Sequence, residues 1–389
     1  SVKLGRREAD LFYIRGLSYY QLNNYVTAIA DFDTALLFSP HYTYALTYKG
    51  VCLDKLGKYE EALRSFNLAV LSAPENENVY YYRGITTFHL RDYAGGITDC
   101  NKAIAINPLY DKYFWRAQNY AGLKRFNEAI KDYDMVINSD QKNSKAYHYR
   151  ALAYYNSGSF EKALADNNRC LELDPADTSA YFNRALIKYE LGKHKEAETD
   201  FNAALGLRFP DSTPYMWRGI NFYYEKKYDQ AISDFNTAIQ KDPKNERAYF
   251  QRALVKFRRG DDKGAIEDCN AALNLRKSGD TYFQRALCKD ELKDYTGAIE
   301  DYNESLRLKP NFQPAILNRG IDYLLMEKDA MAMTDLNKAI EMDPQSGVGL
   351  FFRGKLKKYM NDVTGSCADL KMAKILGYQV ATNTTVYKE

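Results

Sequence analysis

The feature that most constrains the fold is a short motif that returns along the chain at an almost constant interval. An arginine or lysine followed by glycine or alanine occurs eleven times in this register, first at Arg15-Gly16 and last at Arg353-Gly354. Successive copies are 33 or 34 residues apart. A fixed period of this length is typical of tandem repeats in which each copy is one helical supersecondary unit.

The eleven copies account for nearly all of the 389 residues. We expect a lead-in at residues 1–8, one solenoid over residues 9–377, and a C-terminal tail at residues 378–389. The repeats are expected to begin near residues 9, 43, 77, 110, 144, 178, 212, 246, 279, 313 and 347. We number them as repeats 1 to 11.

Each repeat alternates small and large residues at fixed positions. Small residues stand twelve and nineteen places after the glycine or alanine of the motif, as at Ala28 and Ala35, and a large apolar residue such as Phe32 usually lies between them. Small residues let two helices approach closely, and large ones fill the space beside the crossing. Most repeats end at a proline such as Pro40, which cannot continue a helix. The pattern predicts a helix A, a short turn and a helix B.

Two segments show the complete pattern, YYRGITTFHLRDYAGGITDCNKAI and YFNRALIKYELGKHKEAETDFNAAL. This pattern resembles the tetratricopeptide repeat family, and the resemblance covers nearly the whole chain. It implies an all-α fold, a right-handed superhelical solenoid of about 22 antiparallel helices. Pentatricopeptide RNA-binding repeats have a similar period, but the small-residue pattern and the near-neutral charge argue against that class.

An acidic residue follows each motif arginine by sixteen positions in ten repeats. The exception is repeat 2, where Lys49 and Ser65 replace both residues. We interpret the series as ion pairs that join helix A to helix B, because an arginine fork binds a carboxylate with two hydrogen bonds. Pairing between neighbouring repeats and a stripe that binds an anionic ligand are the alternatives. The pairs singled out are Arg83 with Asp99, Arg150 with Asp166, Arg184 with Asp200, and Arg218 with Asp234.

Aromatic residues recur on one face of helix A, two places before and five places after the arginine. In the family that the chain resembles, this face lines the concave surface, which favours a groove for an extended peptide or a partner helix. The alternative is that the rings pack between neighbouring A helices. The candidate partner-binding residues are Tyr13, Tyr20, Tyr81, Phe88, Phe114, His148, Tyr155, Phe182, Tyr189, Tyr223, Phe250 and Phe257.

The composition and the motifs argue against several functional classes. A net charge of +3, from 54 basic and 51 acidic residues, does not favour nucleic-acid binding. The absence of a long apolar run argues against membrane insertion. Histidine and cysteine spacings suggest no metal site, and the chain lacks a GxxxxGK[ST] phosphate loop, so neither a cofactor nor an enzymatic activity is expected. The positions at which co-chaperone members of the family clamp a terminal carboxylate lack the required Lys and Asn.

The sequence therefore predicts a protein-interaction adaptor or assembly scaffold that binds a peptide or partner segment. The alternatives are a structural subunit of a larger, envelope-associated complex, held through its ends and convex face, and a regulatory module of a separate enzyme. The last helix lacks a polar capping helix, so we expect the tail, through Val380 and Tyr387, a partner or a second copy to cover it. Isolated cysteines favour a reducing compartment such as the cytoplasm, with export as the alternative because the chain begins with Ser.

Overall fold

The computed structural model describes residues 2–209 and 211–378, and these ranges contain 22 α-helices and no strand. The all-α prediction is thus confirmed. The helices are α1 Val2–Gln21, α2 Tyr25–Phe38, α3 Thr43–Lys55, α4 Tyr59–Ser72, α5 Glu77–His89, α6 Tyr93–Ile106, α7 Tyr110–Gly122, α8 Phe126–Ser139, α9 Ser144–Asn156, α10 Phe160–Leu173, α11 Thr178–Glu190, α12 His194–Gly206, α13 Thr213–Tyr224, α14 Tyr228–Lys241, α15 Glu246–Arg258, α16 Asp262–Leu275, α17 Gly279–Glu291, α18 Tyr295–Leu308, α19 Gln313–Leu325, α20 Asp329–Met342, α21 Gly347–Tyr359 and α22 Val363–Ile375.

Odd-numbered helices are the A helices of the repeats, and even-numbered helices are the B helices. The A helices of repeats 2 to 11 begin within one residue of the positions expected from the period. The lead-in expected at residues 1–8 is instead continuous with α1 from Val2 onward. The tail expected at residues 378–389 lies outside the described residues except for Tyr378.

The turn between helix A and helix B has the same backbone conformation in every repeat. One residue of each turn adopts a positive φ, from 57° at Glu327 to 80° at Gly260. A left-handed residue of this kind closes a helix C-terminus by satisfying its last carbonyl groups. Four of the eleven turns within the described ranges use glycine there, and seven use a residue with a side chain.

The choice of glycine at the motif follows from the packing inside one repeat. A Cβ added to Gly16 would lie 2.6 Å from the Phe32 ring, and one added to Gly50 would lie 2.7 Å from the Phe66 ring. Both rings are fully buried. Helix A and helix B therefore touch at this point, with the aromatic residue of helix B against the backbone of helix A.

The chain divides into two compact units, residues 1–193 and residues 194–389. The boundary lies in the turn of repeat 6, so the first unit contains α1 to α11 and the second contains α12 to α22. Within each unit consecutive helices pack against each other, and the A helices of neighbouring repeats are also in contact. Among the described residues, no helix is both long enough and apolar enough to cross a membrane.

Candidate functional site: the A-helix face

The motif arginines bind the carboxylates sixteen residues later. Arg83 donates from Nε and Nη2 to the two oxygens of Asp99, at 2.9 and 2.6 Å. Nine such two-bond pairs occur within the described parts of the two units. They join Arg15 to Asp31, Arg83 to Asp99, Arg116 to Asp132, Arg150 to Asp166, Arg218 to Asp234, Arg252 to Asp268, Arg285 to Asp301, Arg319 to Asp335 and Arg353 to Asp369. Arg184 belongs to the first compact unit and Asp200 to the second.

Each motif arginine after Arg15 also reaches back to the preceding repeat, a contact that the sequence reasoning missed. Nη1 of Arg83 donates to Oδ1 of Asn67 at 2.8 Å, and Nη1 of Arg150 donates to Asp134 at 2.6 Å. In repeat 2, Lys49 contacts Asp33 at 2.5 Å instead. The signal was present in the sequence, because an Asn or Asp stands two places after the acidic position in ten repeats. We call this chain of contacts the arginine ladder. It links each helix B to the next repeat.

An aromatic ring covers most of the guanidinium groups of the ladder. The ring three residues before the arginine lies under its Cζ, at 5.5 Å for Tyr80 and Arg83 and at 5.5 Å for Tyr147 and Arg150. Such a cation–π contact holds the guanidinium against the helix surface. With the carboxylate, the amide and the ring engaged, little of the arginine remains for an anionic ligand, which favours the structural interpretation over a ligand stripe.

In a ladder pair, the cost of burying the two charges is similar in size to the attraction between them. Burial raises the pKa of the Asp99 carboxyl, and Arg83 only partly offsets that effect. Taking two charges out of water costs free energy that their attraction need not fully return. The ladder therefore fixes the register between helices more than it adds net stability, but losing one partner would strand a buried charge.

The twelve candidate partner-binding residues all lie in the described ranges, and each is buried or half-buried. The most buried are Phe257, with 3% of its surface exposed, and His148 and Phe182, with 9% each. The ring of Tyr13 packs at tilted angles against Tyr42, in the turn before repeat 2, and against Tyr44 and Tyr48 of repeat 2. Packing between A helices thus uses much of this aromatic surface, and only its open parts are accessible to a partner.

One open part is a cavity of about 310 Å³ on the A-helix face of repeats 1 to 4. Four A helices and one B helix line it, and we call it the aromatic cavity. Its lining residues are Tyr20, Val51, Asp54, Lys55, Phe66, Tyr81, Tyr82, Ile85, Thr86, His89 and Trp115. Two of them, Tyr20 and Tyr81, are among the predicted residues. A mostly apolar cavity with a few convergent polar groups is the usual form of a binding site.

Asp54 is the polar centre of the aromatic cavity. Its Oδ1 accepts from Thr86 Oγ1 at 2.7 Å and lies 3.0 Å from His89 Nδ1. The position of Asp54 in the repeat is one that usually holds an aromatic residue, such as Tyr20. Replacing a ring by a carboxylate leaves space between the flanking rings, which explains why the cavity opens at repeat 2.

A second cavity, of about 230 Å³, lies between repeats 5 and 6 in the same unit. Tyr155, Asn156, Asn167 and Asn183 supply its polar and aromatic wall. Asn167 is fully buried, and neither its Nδ2 nor its Oδ1 has a hydrogen-bond partner. It occupies the position of the large apolar residue, so the missing ring creates the space.

Family comparisons agree with this architecture. Models of tetratricopeptide repeats match residues 13–77, 53–111, 219–260 and 279–312. A model described as anaphase-promoting complex, cyclosome, subunit 3 matches residues 122–204. The chain belongs to the tetratricopeptide repeat family. A comparison with curated protein sequences found no match.

Solved structures of other tetratricopeptide repeat proteins show the same fold. A protein from Parabacteroides merdae is 20% identical, with a TM-score of 0.52 over 64% of this chain and 99% of its own. The structure titled APC/C hetero-tetramer Cut9-Hcn1 is 17% identical, with a TM-score of 0.51 over 90% of this chain and 76% of its own. At these identities the likeness concerns the fold.

The second compact unit carries a more open and more polar tetratricopeptide surface at repeats 7 to 9. A recess of about 760 Å³ is lined there by Phe250, one of the predicted residues, together with Arg247, Arg276 and Asp280. Much of its charge is internally paired, since Arg276 contacts Glu246 at 2.9 Å. The recess has few apolar groups and is the weaker candidate for a side-chain pocket.

The last repeat presents a partly apolar end. Within the described residues, Ile375 and Tyr359 are exposed, while Tyr378 packs its ring on Phe351 at 4.9 Å. The tail residues Val380 and Tyr387, expected to cover this helix, lie outside the described residues. Self-association through this end therefore stays a prediction.

The structure also gathers coordinating groups that sequence spacing did not suggest. Ligand atoms of His148, Cys170 and Asp177 all lie within 4.8 Å of one another. The sequence predicted no metal site because its histidines and cysteines form no short coordinating motif. The three residues of this cluster lie apart in the chain, in α9, in α10 and in the loop before α11, so only the fold brings them together.

Proposed function

We propose that this protein is an adaptor or assembly scaffold that binds a segment of a partner protein on its A-helix face. Tetratricopeptide repeats are scaffolds typical of protein–protein interaction and complex assembly, and they are generally non-enzymatic. The observation that carries the proposal is the aromatic cavity, because four A helices leave an apolar space of about 310 Å³ there. A large apolar side chain of the partner fits this space.

The rim of the aromatic cavity provides variants that test this proposal without disturbing the core. Lys55 is exposed and Trp115 half-buried at the opening. Peptides selected from a random library on the immobilised protein should favour a large apolar residue. They should bind at least about 10-fold more weakly to Lys55→Glu and Trp115→Ala, a loss of about 1.4 kcal/mol. Circular dichroism melts should show that both variants fold.

A second candidate function is that of a structural subunit held through its outer helices. Leu37 on α2 and Leu71 on α4 stand at equivalent positions and are 82% and 81% exposed. Exposed leucines that recur at equivalent positions of consecutive B helices favour a contact surface. The double variant Leu37→Ser and Leu71→Ser separates the two functions. The adaptor proposal predicts that this double variant binds the selected peptides as tightly as the parent protein. Unchanged peptide affinity in both rim variants, together with loss of peptide affinity in the double variant, would favour the structural subunit.

A further inference from the structure

Repeat 5 carries coordinating side chains at three positions that meet in space, and at two of them no other repeat has a histidine or cysteine. His148 stands where the flanking repeats have Phe114 and Phe182. Cys170 stands where eight of the eleven repeats have alanine. Asp177 caps α11, a role that Asn143 and Asn245 perform in other repeats. In the whole sequence only repeat 5 has a metal-coordinating type at all three positions.

From this convergence we propose that His148, Cys170 and Asp177 form a binding site for a divalent transition metal of the zinc class. The ligand atoms would be Nδ1 of the imidazole, Sγ of the cysteine and Oδ2 of the carboxylate. Imidazole, thiolate and carboxylate together suit Zn²⁺ or Co²⁺ rather than Mg²⁺ or Ca²⁺, which prefer oxygen.

Two of the three distances between the ligand atoms are those of a coordination shell, and the third is no more than 4.8 Å. Oδ2 of Asp177 lies 3.6 Å from His148 Nδ1 and 3.7 Å from Cys170 Sγ. Metal–ligand bonds of about 2.0–2.3 Å at tetrahedral angles place the ligand atoms about 3.3–3.8 Å apart. The separation of 3.6 Å is too long for an N–H···O hydrogen bond, so a direct His148–Asp177 bond does not explain it.

The chemistry of the surroundings also points to a ligand. Nδ1 of His148 is buried and has no hydrogen-bond partner, and Cys170 is fully buried. The amide of Asn183 lies 3.4 Å from Nε2 on the far side of the ring. The atom of Asn183 at that distance is Nδ2, which donates to Nε2 when the imidazole proton is on Nδ1. Metal binding at Nδ1 requires the proton on Nε2, and a half-turn of the Asn183 amide then presents its oxygen to accept from Nε2, as in the outer shell of many zinc sites.

A metal bound at this site would connect three elements of the fold. His148 belongs to α9, Cys170 to α10 and Asp177 to the loop that leads into α11. A metal held by all three ties repeat 5 to the start of repeat 6. Coordination by Cys170 releases the thiol proton to solvent, and a water molecule completes a fourth position.

The test is a titration of the full chain with Co²⁺, whose thiolate complexes absorb in the near ultraviolet. The background variant Cys367→Ser removes the exposed thiol of the chain. We expect one equivalent of Co²⁺ with a thiolate charge-transfer band, displaced by Zn²⁺. Cys170→Ala and His148→Phe should abolish the band, and both restore residue types found in other repeats.

Three further variants define the site. Asp177→Asn keeps an asparagine cap on α11 but removes the carboxylate ligand, so it should weaken Co²⁺ binding. Asn183→Ala removes the outer-shell partner of His148 and should weaken Co²⁺ binding about 10- to 100-fold. Cys100→Ala, a buried cysteine of repeat 3, should leave the titration unchanged. Absence of a thiolate band in the background protein, or a band that survives Cys170→Ala, would overturn the proposal and leave the cluster as a hydrogen bond from Cys170 to Asp177.

Discussion

At the scale of single residues, most ladder arginines join three groups: a carboxylate, an amide or acid of the preceding repeat, and a ring. Arg150 contacts Asp166 and Asp134 and lies over Tyr147. The spacing of arginine and acid could be predicted from the sequence, since both recur in fixed register. The bridging asparagine could not be singled out as readily, because an exposed polar residue on helix B has no single expected role.

The ladder gives a prediction with an internal control. Arg150→Ala should lower the free energy of unfolding by about 3 kcal/mol, because it strands the buried carboxylate of Asp166. Arg15→Ala breaks the same kind of pair with Asp31, which is as buried as Asp166, but Arg15 itself has 59% of its side chain exposed. Its removal opens the carboxylate to water, so its loss should cost clearly less than that of Arg150. Urea denaturation measures both values, and equal costs for the two variants would contradict the burial argument.

At Asn167 we predict a substitution that raises, rather than lowers, the free energy of unfolding. Asn167→Leu should raise the free energy of unfolding by about 1–3 kcal/mol, because it removes a buried amide without a partner and fills part of a 230 Å³ cavity. Leucine is the residue at the equivalent positions 336 and 370. A thermal melt checks the sign. Lower stability than that of the parent protein would mean that the amide is satisfied by bound solvent or by a ligand.

At the scale of helices and turns, the period predicted the A helices closely because each repeat reuses the same small and large positions. The sequence did not predict the left-handed turn residue, because only four of the eleven turns have glycine there. A left-handed conformation costs a residue with a Cβ about 1–2 kcal/mol. The remaining turns accept this cost in order to close helix A.

The turn conformation can be tested by exchange between repeats. Lys124 has a φ of 59° and Gly158 a φ of 78° at equivalent positions. Lys124→Gly should stabilise the protein by about 1 kcal/mol, and Gly158→Lys should destabilise it by a similar amount. Both are measured by chemical denaturation. The same sign for both substitutions would contradict a shared left-handed turn.

Two buried carboxyls connect α17 to α19 and give the fold a pH dependence. Asp290 and Asp322 are 4% and 0% exposed, and Tyr302 donates a hydrogen bond to Asp290 at 2.5 Å. Burial raises the pKa of both groups, and Glu291 and Asp294 add to the effect on Asp290. The folded protein therefore holds a proton that the unfolded chain releases at an ordinary aspartate pKa of about 4.

The direction in which stability changes with pH follows from that difference in proton binding between the folded and unfolded chain. A raised folded pKa gives stability that is complete below about pH 4 and is lost as the pH rises. The free energy of unfolding should thus fall between pH 5 and pH 8. Asp322→Asn should flatten this slope, whereas Asp229→Asn, at a side chain 86% exposed, should not. Urea melts at the two pH values decide, and an unchanged slope in Asp322→Asn would contradict the assignment.

At the scale of the whole molecule, the period was sufficient to predict an all-α repeat protein, but it could not locate the candidate sites. The sites lie where the repeat is broken, at Asp54, Asn167 and the cluster of repeat 5. A cavity depends on which side chains of several helices fail to fill a space, and no single repeat contains that information. The aromatic residues of the A-helix face illustrate this limit, because the same set of rings both packs between helices and lines cavities.

The central proposal is that a partner occupies the aromatic cavity on the A-helix face. The most direct measurement is photo-crosslinking in the native cell, with a photoreactive phenylalanine analogue at exposed Lys55 or, for comparison, at exposed Leu71. Position 55 borders the cavity, and position 71 lies on the outer surface of α4. The proposal predicts a discrete crosslinked protein from position 55 that the Trp115→Ala variant loses. Crosslinks from position 71 alone, with none from position 55, would contradict it.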